Sequence, residues 1–157
     1  MPQGLENEMI KNAILYAGTP VYQELEVETQ DTIAPGRFLI KGTAQHQCEI
    51  ATAGTIESIG VADIASDWKL TDMQTETCAG TPLDYYDSGD QIRVLRGDIV
   101  VKVLLKCGET ITVGEHLEVA ANGMVVTTVD ATKEVAQSLE NITSGNYCKW
   151  LLVRMLI

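Results

Sequence analysis

Apolar and polar residues alternate along most of this chain, and helical spacing is scarce. Gln91 to Arg96 reads QIRVLR, and DIVVKVLLK follows after Gly97. Successive strand side chains point to opposite faces, so such runs predict strands with one face in a core. Residues 116–128, HLEVAANGMVVTT, predict a hairpin closed through Asn122-Gly123, a dipeptide that accepts positive φ. The run YCKWLLVRMLI predicts a long closing strand. Gly and Thr interrupt these runs at short intervals, as an all-β barrel or sandwich requires. Helical pieces are confined to Glu8–Tyr16 and Thr132–Glu140.

Two stretches repeat each other. Asp31–Lys41 reads DTIAPGRFLIK and Glu109–Val119 reads ETITVGEHLEV, with Thr, Ile, Gly and Leu coinciding. Each copy continues through a strand, a turn and a further strand, with Ile59-Gly60 and Val135-Ala136 at matching places. A small residue there lets a strand bend or pass close to its neighbour. The copies, residues 31–66 and 109–144, predict an internally duplicated β-domain over 31–157. The repeat also turns Thr132–Glu140 from helix to mainly strand. Residues 67–86 are polar and match neither copy; they are expected to form a surface excursion. Residues 1–30 lie before the first copy and are expected to form an extended N-terminal arm. Its apolar cluster of Met9, Ile10, Ile14, Leu15 and Tyr16 is the candidate contact with a partner surface, because contiguous apolar surface marks contact sites.

Charge narrows the function. Twenty-two acidic residues against eleven basic ones give a net charge of −11. Phosphate binding needs a basic surface, so nucleic acid is not an expected partner, and neither is an anionic membrane. The N-terminal stretch carries acids where a signal peptide carries basic residues, which predicts synthesis in a cytoplasm. Cys48, Cys78, Cys107 and Cys148 are widely spaced. Free thiols are expected in a reducing compartment, with Cys107 and Cys148 buried between strands, and a two-disulfide framework is the alternative.

Candidate chemistry is thin. His46-x-Cys48 could begin a metal site completed by Cys107, His116 or Cys148, but residues at alternate strand positions give the same spacing. Asp84, Asp87 and Asp90 lack the bidentate Glu of a calcium loop and read as a solvated turn into the strand at Gln91. Arg96-Gly97-Asp98 falls where one strand must turn into the next. Phosphate loops, nucleophile elbows and His-Glu-x-x-His are missing from the sequence. The expectation is a protein that is not an enzyme and carries no cofactor or metal.

The Gly-Asp before QIRVLR, the ITVGEHLEV stretch, the NGMV hairpin, VAQSLE and the terminal VRML together resemble the capsid decoration, or structural cement, proteins of tailed phages. The first copy, IAPGRFLIK through ESIGVADIAS, is similar in pattern to the lambda-type head-decoration proteins. The resemblance implies a β-rich homotrimer on the outer surface of the mature head, partnered by the major capsid protein, stabilising the shell without chemistry. Two other readings stay open. A receptor-binding or spike module would use residues 67–86 or Arg96-Gly97-Asp98. A biotinyl or lipoyl carrier would need a Lys at the hairpin turn, where this chain has Ala121-Asn122-Gly123-Met124.

Overall fold

The computed structural model describes residues 13–28, 32–65, 68, 85–145 and 148–157, and the structural statements below concern those residues. A short strand, β1 (Leu15–Ala17), comes first. Five strands follow: β2 (Val21–Val27), β3 (Phe38–Lys41), β4 (Gln47–Ile50), β5 (Gly60–Ala62) and β6 (Gln91–Arg96). They close into a barrel in the order β2-β4-β3-β5-β6. The second half contains β7 (Val100–Leu105), β8 (Thr110–Ile111), β9 (His116–Val119), β10 (Val125–Thr127), β11 (Ala136–Ser138), β12 (Ile142–Thr143) and β13 (Lys149–Met155). Here β7-β10-β9-β11-β13 run in sequence, and β13 pairs back onto β7 to close a second ring. The fold is all-β, as the alternating pattern predicts.

The two rings share one topology. In each, the first strand pairs in parallel with the third and antiparallel with the fifth. Phe38–Lys41 and His116–Val119 start 78 residues apart, as do the strands starting at Gln47 and Val125. Backbone hydrogen bonds recur at equivalent atoms. Gly36 N–H donates to Ala62 O and Gly114 N–H to Ser138 O, both at 2.9 Å. Ile59 N–H donates to Leu39 O and Val135 N–H to Leu117 O, again both at 2.9 Å. The bridge between Ile33 and Tyr86 matches the pair Ile111 and Ile142 of β8 and β12. The duplicated unit therefore extends beyond residues 31–66 and 109–144. It includes the strand before each copy, β2 or β7, and the strand after, β6 or β13.

Four other expectations meet the structure here. Of Glu8–Tyr16, residues 8–12 lie outside the described residues, and Leu15–Ala17 is strand, paired with β7. Thr132–Glu140 holds a 3-10 turn, Ala131–Lys133, and then β11, so the repeat outweighs local helix propensity. Asn122 and Gly123 have φ of 57° and 70°, the positive values expected of them, inside a 3-10 turn that links β9 to β10. Of the stretch read as an arm, residues 13–28 supply β1 and the whole of β2.

Each barrel holds its own interior, and one large cluster joins them. Leu25, Val27, Leu39, Cys48, Ile92 and Val94 fill the first barrel. Phe38, Val61 and Leu95, cross-strand neighbours on that barrel's outer face, are fully buried in a cluster shared with the second barrel's core. Trp150 of β13 lies against Gly36, where an added Cβ would overlap its indole. The equivalent Gly114 has open space around it. Both glycines have positive φ, 74° and 92°, so alanine is strained at either, but only at Gly36 must packing also yield. Gly36→Ala should therefore lower the melting temperature by at least about 5 °C more than Gly114→Ala, measured by calorimetry on the full chain. Equal losses would mean that the barrels do not depend on this contact.

Candidate attachment surface

Sequence candidates for chemistry disperse in the fold. His46 is exposed beside β4, while Cys48 is buried inside the first barrel. His116 belongs to the second barrel, with Nδ1 3.0 Å from Glu134 Oε2. Among the described residues, no three metal-ligating side chains converge. Asp87 N–H donates to Asp90 Oδ2 at 2.7 Å, and Asp90 N–H to Asp87 O at 3.0 Å, forming a turn into β6; Asp84 lies outside the described residues. Arg96-Gly97-Asp98 is the joint between the barrels, ending β6 just before β7. Asp98 accepts from Arg154 Nε at 3.2 Å, across from the joint.

The cysteine reading needs correction. Cys148 is disulfide-bonded, where four free thiols were expected. It is buried just before β13, its Sγ 3.7 Å from Met124 Sδ. Wide spacing along the chain says little about approach in space, because closing a long loop costs only slightly more than closing a short one. Cys107 is half-buried, and Cys78 lies outside the described residues.

The apolar N-terminal residues have different fates. Met9 and Ile10 lie outside the described residues. Ile14 is fully buried in the chain's own shared core, and Leu15 packs against it. Tyr16 is 47% exposed. Outside the five candidate contact residues, Val21 and Tyr22 are 59% and 52% exposed at the start of β2. The Arg93 guanidinium stacks over the Tyr22 ring, 4.9 Å from its centroid. Their signal lay in the sequence as VYQELEV, a strand whose first half offers apolar residues with no partner pattern beside them.

Of residues 67–86, the described Trp68, Tyr85 and Tyr86 lie near the two ends of the stretch. Trp68 packs against Tyr86 with the rings tilted by 50° and their centroids 4.6 Å apart, and Tyr86 Oη donates to Asp63 O at 2.9 Å. Burial raises the Asp63 carboxyl above its ordinary value, opposed by the Ile64 N–H it accepts and by Arg93. Burial acts on two cations in the opposite sense. Arg37, buried with its Nη1 on Pro35 O, is lowered to about 10, and Lys102 is lowered against the pull of Glu140.

No family model matches this chain, and no curated protein does. Among solved structures it is similar to the N base of the head fiber gp8.5 of bacteriophage phi29, with a TM-score of 0.55 and 18% identity. The match covers 87% of this chain and 94% of that one. The likeness is one of fold, and it spans both barrels.

Asp63 gives a pH-dependent test. A carboxyl raised in the folded state binds its proton more tightly there, so stability is greatest below the unfolded value and falls as pH rises through the raised one. Asp63→Asn keeps an oxygen for Ile64 N–H and removes the half-buried charge. It should raise the melting temperature at pH 7, and the gain should vanish below the ordinary carboxyl value of 3.8. A gain that persists at lower pH would assign the effect to packing instead.

Proposed function

We propose that this chain is a structural protein of a tailed-phage virion, bound as a homotrimer to the major capsid protein on the outer surface of the mature head. It is made in the host cytoplasm and acts as a cement, favouring the expanded shell because it binds that state alone. The observation that carries this reading is the tandem-barrel fold shared with a phage head-fiber base over nearly the whole of both chains. The net charge of −11 agrees with it: a protein on the outside of the head faces solvent and not packaged DNA. Three linked subunits meeting three sites need only modest affinity each.

The description of that neighbour as a fiber base favours a second reading, in which the chain attaches to the head and holds a fiber there. Both readings need head attachment; they differ in what attachment does. Purified chain mixed with expanded and unexpanded shells should co-sediment with the expanded form only. At free concentrations about a hundred times the dissociation constant, binding should stabilise the shell by about 2.7 kcal/mol per site. A cement then raises the temperature at which filled heads release DNA. Full occupancy with no such rise would favour the fiber base, and no occupancy on either shell would remove both readings.

A further inference from the structure

The first strand of each barrel presents alternate amides along the edge on which its third strand pairs. In the second barrel Lys106 N–H donates to Val125 O at 3.1 Å, Leu104 N–H to Gly36 O at 3.3 Å, and Lys102 N–H to Ile14 O at 2.8 Å. The last bond exists because β1 lies along that edge, pairing Leu15 with Val101 and Ala17 with Val100. The equivalent residues of the first barrel lie 78 positions earlier. Glu28 N–H donates to Cys48 O at 3.0 Å and Glu26 N–H to His46 O at 2.8 Å. The next in the series, Glu24 and Tyr22, have no such acceptor among the described residues, since β4 pairs with β2 only at Glu26 and Val27. Side chains tell the same story: Ile99 is 1% exposed under β1, and its counterpart Val21 is 59% exposed. The first barrel thus keeps open the strand site that β1 fills on the second. An open edge bearing apolar side chains is a template for another strand.

We propose that the edge Val21–Glu24 receives, as an added strand, the segment Leu5–Asn12 of a second copy of this chain. Three observations select this occupant. The strand that fills the equivalent site is itself N-terminal, Leu15–Ala17, and the twelve residues before Ala13 carry a similar apolar pair, Met9-Ile10. Within one copy, β1 reaches the joint near Val21 at its Ala17 end, while Ile14 sits further along β7 at Lys102. The chain at Ala13 therefore points away from its own open edge. A donor at one end and an acceptor elsewhere on the same surface make a head-to-tail contact, which closes into a ring when the rotation allows. The inference rests on the homotrimer proposed above for its stoichiometry, and not on capsid attachment.

Hydrogen exchange and light scattering on the full chain at tens of micromolar test it. Wild-type protein should be oligomeric, with the Tyr22 and Glu24 amides slowed at least about tenfold relative to a dilute monomer. Met9→Asp with Ile10→Asp should be monomeric with both amides exchanging freely, and Glu24→Pro, which removes the receiving N–H, should be monomeric as well. A wild-type trimer whose Glu24 amide exchanges freely would leave the trimer standing and remove this inference. Slow exchange that survives dilution to monomer would assign the edge to the chain's own segment and overturn it. A wild-type monomer with an open edge would remove both.

Discussion

The indole of Trp150 rests on the bare Cα of Gly36, and the union of the two barrels depends on that approach. Beside it, Leu104 N–H of β7 donates to Gly36 O, and Gly54 N–H donates to Val119 O of β9 at 2.8 Å. Gly123 lies against the Phe38 backbone by the same logic, leaving no room there for a Cβ. Phe38, Val61 and Leu95 are buried as a result. Full burial of such side chains is worth roughly 1.5–3 kcal/mol each, a large share of what a small domain can spare.

Duplication gave two copies of one backbone, and the outward-facing residues gave them different roles. The row Phe38-Val61-Leu95 of the first barrel corresponds to His116-Gln137-Arg154 of the second, with the same cross-strand pairing. The apolar row packs against the neighbouring barrel. The polar row has local neighbours: Gln137 donates to Gly114 O at 3.1 Å, Arg154 donates to Asp98, and His116 Nδ1 lies 3.0 Å from Glu134 Oε2 without a hydrogen bond. Conversely, Trp150 and Leu104 of the second barrel correspond to Gln91 and Glu26 of the first, again a cross-strand pair in both.

This divergence explains what could be read from the sequence. Inward positions and turn residues stayed alike, so Gly36 with Gly114, Leu39 with Leu117 and the Asn122-Gly123 turn were legible as strands and a repeat. The flanking strands β2 and β7 were not assigned to the repeat, because VYQELEV and VVKVLL share only alternation once their outer residues serve different neighbours. The disulfide at Cys148 left no trace in the cysteine spacing. The exposed pair Val21 and Tyr22 went unnoticed for a related reason: apolar residues in a strand signal burial, and only the pairing partners on each side reveal that one edge is open.

The same polar substitutions decide how far the barrel-to-barrel contact can extend. The two barrels use non-equivalent faces, a heterologous arrangement that could in principle repeat without end. A third barrel added to the second would have to bury His116, Gln137 and Arg154, and one added to the first would meet Glu26, Gln91 and the exposed residues 43–46. Burying such groups without partners costs more than the contact returns. The series therefore stops at two, leaving the open edge of β2 as the place where a further chain can join through backbone hydrogen bonds without burying those charges.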